Sequence, residues 1–515
     1  MRDIQRKSLF AKSIFPVEIW AKILIALSFA LSLWWIIYTG YVEEDAFITF
    51  RFARQIAEGN GFVYNIGERV YGTTTPLLTL LLAGWIKYIS ADIILGARIL
   101  NLFASAGTLF FTWKTLNFLK RSTAEQIFPL VFILFSSQML YKNTQGMETP
   151  LVLFFMSASL YTNAKKKKNW TAFLSGLLLW ARLDLALWVF LLVFISSLSN
   201  RKRAIYIAFG ASLIYLPWLL FATFYFGSPI PHTVTAKWIA YSQFNQSPLL
   251  LHLLKILAYI SPFYQLGNLF FLGTGIIFGL ILWAIWRGLI TEEKTFLILF
   301  LFIILEIALL TLTRATFFKR YFIPVLWATL LLFGVAVGTL WDILKKKKGS
   351  KFLFQTFFIL LMLITISSGL SYATAIKMKQ KYRFENSLKE IGVWLYENSD
   401  SQSTVLLEPL GYVGYYSERK MIDEVGLVTL KVTDLKSQGV SSDKYLTIFD
   451  PDYTVLHCDD ALRLYDNEET ELAQKYILVK EFNPVFFNPS ASNNFVDIWD
   501  ITRLSCYQIW QKNNE

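Results

Sequence analysis

Three consecutive acids, Glu43, Glu44 and Asp45, stand where a long apolar run gives way to a polar stretch, YVEEDAFITFRFARQIAEGNGFVYNIGERVYGTTTP, from Tyr41 to Pro76. A carboxylate at a hydrocarbon boundary is penalised unless a substrate, a cation or a hydrogen-bond donor compensates its charge, so it marks a candidate functional site. Partly desolvated, it can take a proton from a hydroxyl that is attacking another centre. The alternative for Asp45 is that it caps a helix beginning at Ala46, where side-chain oxygens satisfy orphan amides. At about 100° per residue, Glu44, Arg51, Gln55 and Glu58 share one polar face, while Asp45 lies with Phe52 and Ile56 on the apolar side. Glu44 is therefore expected to face water, and Asp45 protein or lipid.

Cations that could stabilise a leaving anion lie elsewhere in the chain. Lys319 and Arg320 come just before an apolar run, and Lys237 sits in FGSPIPHTVTAKW. Charge-assisted hydrogen bonds from such groups suit a phosphate, and interfacial snorkelling is the alternative for each lysine. Arg182 and Asp184 fall in a break between two apolar half-segments, either as a substrate contact or as a structural intramembrane ion pair. An acid near a membrane surface with cations around it suits group transfer from a lipid-phosphate donor.

Other chemistries are excluded or unsupported. Two cysteines, Cys458 and Cys506, and three histidines, His232, His252 and His457, offer no CxxC, HExxH or comparable metal-ligand spacing. No metal site or cofactor is expected, although carboxylates alone can bind a divalent cation. Gly59, Gly61, Gly67 and Gly72 punctuate the polar stretch without forming a dinucleotide fingerprint, because the spacing fails after Gly61 and no strand precedes them. Both cysteines are expected in an oxidising compartment, joined to each other.

The elements that must position these residues follow from composition. The chain has 515 residues, of which 55% are hydrophobic and 17% aromatic, with a mean hydropathy of +0.45. That describes a polytopic α-helical membrane protein with room for an appended domain. The net charge of +12 concentrates in short connections between apolar runs, the positive-inside pattern, and no nucleic-acid motif accompanies it. Arg2, Arg6, Lys7, Lys12 and Lys22 precede the run Ile23 to Tyr38, read as an uncleaved first span. Leu77 to Trp85 is too short to cross and is expected along the outer surface, which places Lys120 and Arg121, Lys165 to Lys168 and Arg201 to Arg203 in the cytoplasm.

The remaining spans are Leu95 to Leu119, Ile127 to Tyr141, Pro150 to Thr162, Trp170 to Arg182, Leu183 to Leu198, Ala204 to Phe226, Asn268 to Trp286, Thr295 to Leu312, Tyr321 to Leu344 and Phe352 to Tyr372. With the first they make about eleven transmembrane helices, besides juxtamembrane ones. The polar segments 41–76, 142–149, 227–267 and 313–320 then share the outer face and could converge. Residues 1–372 form the membrane part. Residues 373–515 form a soluble extracytoplasmic α/β domain with strands at Thr404 to Leu407, Tyr445 to Phe449 and Tyr476 to Val479, and a helix at Phe384 to Asn398. The protein is expected in the plasma (inner) membrane.

At this point several blocks carry a family resemblance: the 41–76 stretch, GMETP at Gly146 to Pro150, YFGSPIPHTVTAK at Tyr225 to Lys237, RYFIPV at Arg320 to Val325, and GYVGYYSERKMIDEVGL at Gly411 to Leu427. Together they resemble polyprenyl-phosphate-dependent glycosyltransferases of the GT-C superfold, particularly the branch of mycobacterial terminal arabinofuranosyltransferases. The resemblance implies an inverting transfer of a sugar from a polyprenyl-phosphate donor to a glycan, lipid or protein acceptor outside the cytoplasm. It makes Glu44 and Asp45 the acidic pair, with Asp45 the base, and brings Glu148 to the site from another loop. Arg51, Tyr71, Glu148, His232, Lys237, Lys319 and Arg320 are the candidate donor-phosphate or substrate contacts. WARLD at Trp180 to Asp184 lacks the proline often seen after the arginine, so the resemblance does not carry function onto Arg182 and Asp184.

Two other function classes compete. A transporter or lipid flippase would also combine many helices with intramembrane charge, but its usual internal repeats are not visible here. A non-catalytic cell-envelope assembly protein would use its C-terminal domain as the working part. Tyr412, Tyr415 and Tyr416 either hold an acceptor glycan or pack that domain onto the membrane part, packing being the favoured reading.

Overall fold

The computed structural model describes residues 16–241, 248–261, 270–287, 293–313, 319–465, 471–482 and 506–513. The basic residues Arg2, Arg6, Lys7 and Lys12, and parts of the segments 227–267 and 313–320, lie outside the described residues.

The chain opens with α1 (Val17–Thr39), α2 (Glu44–Ala57), α3 (Pro76–Tyr88), α4 (Ile93–Phe118), α5 (Thr123–Phe135), α6 (Ser137–Thr144), α7 (Thr149–Ala164) and α8 (Lys168–Ala181). A 3₁₀ turn, Leu183–Leu185, leads into α9 (Ala186–Ser197), α10 (Arg201–Phe226), α11 (His232–Tyr241), α12 (Leu249–Tyr259), α13 (Phe270–Trp286) and α14 (Lys294–Leu312). A second 3₁₀ turn, Lys319–Phe322, precedes α15 (Ile323–Leu344) and α16 (Lys348–Lys379). Each expected span coincides with one of these helices, the Ile127 to Tyr141 span as the bent pair α5 and α6, which turn by 61°. Among the described residues six helices are long and apolar enough to cross a membrane, or seven if the bent pair counts as one span. Polar groups along a bilayer-length apolar helix would have no water to satisfy them, so this is a multi-pass membrane protein.

Helix α15 is the axis of the bundle, buried from Ile323 to Gly338. Side chains cannot intervene where it meets α5. A Cβ at Gly334 would stand 2.4 Å from Pro129 Cα, and one at Gly338 2.6 Å from Glu125 Cα. Small residues four apart let two helices in lipid approach closely, because packing and not water exclusion drives their association.

Helix α16 does not stop at the end of its apolar run. It continues through a wider π-type stretch, Gln380–Lys389, into α17 (Glu390–Asn398), so one helical rod joins the bundle to the C-terminal α/β region. That region contains β1 (Thr404–Leu407), α18 (Leu410–Ser417), β2 (Lys420–Asp423), α19 (Leu430–Ser437), α20 (Tyr445–Phe449), β3 (Tyr453–His457), α21 (Cys458–Tyr465), α22 (Glu471–Lys475), β4 (Tyr476–Phe482) and β5 (Tyr507–Lys512). The sheet order is β2-β1-β3-β5-β4. β1 pairs in parallel with β2 and β3, while β5 is antiparallel to β3 and β4. Cys458 and Cys506 are joined as expected, with Cα atoms 5.4 Å apart, and the bond clips the end of the β3–β5 pair.

Two corrections concern local structure. Tyr445–Phe449, expected as a strand, is helix α20: a five-residue apolar run has no periodicity that separates strand from buried helix. Strands β2, β3 and β5 escaped sequence reading, because a buried strand only four to six residues long carries little alternation to detect.

Candidate active site

Helix α1 ends at Gly40, whose left-handed φ of 62° closes the helix, with its N–H bonded to Ile36 O. The chain turns at once into α2, whose N-cap position is Glu43. Asp45 is therefore inside the first turn and does not cap a helix starting at Ala46. Acids in a first helical turn are favoured by the helix dipole, and Glu44 and Asp45 occupy that turn.

Most of the polar face of α2 meets protein and not water: Arg51 and Gln55 are buried, and only Glu58 at its end is exposed. Glu44 accepts a hydrogen bond from Gly411 N. Arg51 is 4% exposed and donates to the carbonyls of Tyr64 at 3.0 Å, Gly414 at 2.5 Å and Arg419 at 2.7 Å. Arg54 donates to Tyr415 O and to Glu418. That face is the seam with the C-terminal α/β region, and the expected solvent face of Glu44 is corrected accordingly. Close approach depends on α18: a Cβ at Gly411 would stand 2.1 Å from Glu44 O, and one at Gly414 1.9 Å from Tyr64 Oη. The tyrosines between and beyond these glycines pack the seam. Tyr412 stacks on Phe384 at 5.2 Å and meets Phe47 at 3.9 Å, and Tyr415 contacts Phe47 and Phe50.

The seam borders a cavity of about 290 Å³. Its acids are Glu43, Glu44, Asp45 and Glu408, and its cations are Lys142, Lys319, Arg320, Lys379 and Arg383. Tyr141, Tyr372, Phe384 and Tyr507 supply ring surface. Asp45 Oδ2 accepts from Arg320 Nη1 at 2.5 Å, and Glu43 Oε2 from Lys142 Nζ at 3.0 Å. About a quarter of the Asp45 side chain is exposed. Thus three acids adjacent in sequence have three different partners: a lysine, a backbone amide and an arginine.

Their ionisation differs to match. Burial pushes the Asp45 carboxyl up, but Arg320 and then Lys237 outweigh it and hold it down at about 2. Burial, the Asp45 charge and Glu408 push Glu44 well above the usual carboxylate range, against the pull of the Gly411 amide. Burial also raises Glu43, but Lys142 and Lys379 bring it below its ordinary value. Neighbouring carboxyls driven apart in this way mark a site where proton transfer can be assigned to one of them.

Arg320 is braced from behind. Arg182 pairs with Asp184 through both carboxylate oxygens, donates to Arg320 O at 3.4 Å and lies over the Tyr321 ring at 4.7 Å. Arg182 and Asp184 therefore form an ion pair that supports the 3₁₀ turn carrying Lys319 and Arg320. Glu148 is 2% exposed and interacts electrostatically with Arg182 and Arg320; its Oε2 has no hydrogen-bond partner among the described residues.

A narrower cleft adjoins the other side of the same ion pair. It is lined by Asp45, Arg320, Lys237 and Met147 together with Thr49, Thr73, Thr74, Thr75 and Thr233. Of the expected substrate contacts, Lys319, Arg320 and Lys237 thus gather with Glu44 and Asp45. Arg51, Tyr71, Glu148 and His232 line neither space. Tyr71 is buried, accepting from Trp218 Nε1 at 2.6 Å and stacking on Phe226, and His232 Nε2 bonds Thr433 Oγ1 of α19 at 2.9 Å.

Sequence reasoning missed Lys379, Arg383, Glu408 and Tyr507, which carry no local signal and arrive through the continuous helix, the end of β1 and the start of β5. It also missed Glu306, 3% exposed within α14 and in electrostatic contact with Asp184 and Arg182. Here a signal existed, a single acid inside a long apolar run. Among the described residues no three of His, Cys, Asp and Glu are grouped to hold a metal ion, and Asp45 is engaged by Arg320.

Residues 374–505 match the model of a domain of unknown function, DUF8728. No curated protein matches the chain. Solved structures do. ArnT from Cupriavidus metallidurans bound to undecaprenyl phosphate matches over 95% of this chain and 97% of its own, with a TM-score of 0.57 and 11% identity. The Archaeoglobus fulgidus oligosaccharyltransferase in the apo form matches over 86% and 70%, with a TM-score of 0.56 and 11% identity. The arabinofuranosyltransferase AftD from mycobacteria matches over 98% of this chain but 40% of its own, with a TM-score of 0.51 and 12% identity. All three are GT-C glycosyltransferases, and at these identities the shared property is the fold.

Proposed function

We propose that this chain, which has the GT-C fold, is an inverting glycosyltransferase that moves a sugar from a polyprenyl phosphate to a hydroxyl of a glycan, lipid or protein acceptor on the extracytoplasmic side. The observation that carries the reading is the Asp45–Arg320 pair, set in a cavity that also presents Lys142, Lys319, Lys379 and Arg383. ArnT, one of the similar structures, is bound to undecaprenyl phosphate, and the archaeal oligosaccharyltransferase has been captured tethered to an acceptor peptide. These support a polyprenyl donor and a separate acceptor here.

In the proposed reaction the donor phosphate enters among these cations and draws on Arg320. Asp45 then loses part of its strongest compensating partner and becomes more basic. The acceptor hydroxyl attacks the anomeric carbon from the face opposite the phosphate. As the new C–O bond forms, the bond from the anomeric carbon to the phosphate oxygen breaks and its electron pair leaves with polyprenyl phosphate. The hydroxyl proton passes to Asp45, and the configuration at the anomeric carbon inverts. Lys319 and Arg320 hold the developing phosphate charge with preorganised donors, the main way a site stabilises such a transition state. Glu44, anchored to Gly411, positions the first turn of α2.

The test is release of polyprenyl phosphate by purified protein in lipid, with a panel of polyprenyl-phosphate sugars and with and without EDTA. Asp45→Asn keeps size and most hydrogen bonding but removes the base, so turnover falls by about 10²-fold or more while donor binding persists. Glu44→Gln costs less. Near-normal turnover of Asp45→Asn would remove Asp45 from the role of base.

A further inference from the structure

The Asp45–Arg320 pair separates two spaces of different character, and their linings point to different substrates. The charged cavity is lined in part by Tyr372, Ala375 and Ile376 of the long apolar helix α16, so a lipid-borne phosphate reaches it from the bilayer side. The cleft is built otherwise. Apart from the shared Arg320, none of its lining residues belongs to a helix long enough to cross a bilayer. Its walls come from the loop Gly72–Thr75, from α2, from α11 and from Leu427 of the C-terminal region.

We propose that this threonine-lined cleft holds one edge of a saccharide acceptor and presents the reacting hydroxyl to Asp45, while the donor occupies the charged cavity. The inference rests on the transfer reading above and adds the acceptor class and the residues that select it. A threonine offers a hydroxyl that both donates and accepts beside a methyl group, which matches the alternating O–H and C–H edges of a sugar. Its branched side chain also has few rotamers, so the hydroxyls are held in place before binding. Thr73 and Thr75 Oγ1 are 3.3 Å apart, and Thr49 and Thr75 Oγ1 3.4 Å, forming a hydroxyl row along one wall.

Thr233 supplies the second observation. It is 3% exposed, lines the cleft, and its Oγ1 has no hydrogen-bond partner among the described residues. A buried hydroxyl without a partner is costly, and a ligand hydroxyl would satisfy it. Lys237, one helical turn further along α11, acts electrostatically on Asp45 and can donate to the same ligand. The cleft volume of about 40 Å³ admits one edge of a ring and not a whole sugar, so recognition is confined to the hydroxyls flanking the reacting one.

The experiment uses the full-length protein in lipid, undecaprenyl-phosphate-linked pentoses and hexoses as donors, and a series of octyl glycosides as acceptors. Wild-type release of undecaprenyl phosphate decides the transfer reading by itself; with no release from any donor, that reading and this inference both fall. Given release, Thr233→Val, which keeps shape and loses the hydroxyl, is expected to raise the acceptor KM about tenfold, the loss of one hydrogen bond. Donor affinity stays unchanged, and Thr233→Ser restores most of the acceptor affinity. Thr73→Val, in the Gly72–Thr75 loop that also lines the cleft, repeats the test should the first variant fold poorly. An unchanged acceptor KM in both valine variants, or an equal loss of donor affinity, would overturn the assignment while leaving the transfer reading intact.

Discussion

At the scale of the residue, the pairing of Asp45 with Arg320 sets how activity depends on pH. Burial alone would raise the Asp45 carboxyl, but Arg320 and Lys237 hold it at about 2 in the free protein. A base fails when it is protonated, so activity is lost as pH falls through its pKa. Because kcat/KM reports the free enzyme, it is expected to show no ionisation of this group over roughly pH 4 to 8. In the donor complex Arg320 is shared with phosphate and the added negative charge disfavours the carboxylate, so the acid limb of kcat moves to higher pH. Arg320→Gln leaves the free Asp45 without its main cation and brings the acid limb of kcat/KM upward into the measurable range. Matched pH–rate profiles of wild type and variant check this. Identical limbs would mean that Arg320 does not govern Asp45.

The element that matters most is α2, buried on nearly every side and riveted by Arg51. A guanidinium that satisfies three carbonyls cannot be removed without orphaning them, and each buried unpaired carbonyl costs about 1–3 kcal/mol. Arg51→Met is thus expected to destabilise the fold by at least ~3 kcal/mol, seen as a lowered melting temperature in detergent, while donor affinity per folded molecule is kept. Lost donor affinity at unchanged stability would return Arg51 to the substrate. Gly411→Ala attacks the same seam from the other element. Its Cβ has no room beside Glu44 O, so α18 must lift from α2, and the variant should be cut by protease at the seam before the sheet domain itself unfolds.

For the whole molecule, the GT-C arrangement places α2, the 3₁₀ turn at Lys319–Phe322 and the end of α16 around one cavity, although 275 residues separate Asp45 from Arg320. The basic loops predict the sidedness of that cavity. With both native cysteines bonded to each other, single introduced cysteines can report it. One near Lys166 is expected to be shielded from an impermeant thiol reagent in cells lacking an outer barrier, and one near Gly67 to react. Equal labelling would overturn the expectation that α3 lies along the outer surface.

The amino-acid sequence by itself determined the membrane class, the helical runs, the acidic stretch at Glu43 to Asp45, the family resemblance and Lys237, Lys319 and Arg320 as candidate cations, which the structure brings beside Asp45. These follow from hydropathy, from the cost of charge beside hydrocarbon and from motifs that are contiguous in the chain. Only the tertiary structure decided partners. Helical periodicity gave Glu44 and Arg51 a polar face, but not whether water or backbone groups would meet it, because the Gly411 amide and the Gly414 and Arg419 carbonyls come from residues more than 360 positions away. Likewise Glu408, Arg383 and Tyr507 are ordinary surface residues by sequence. They join the site because α16 runs unbroken into the sheet region and docks it, through Gly411 and Gly414, onto the helix that carries Asp45.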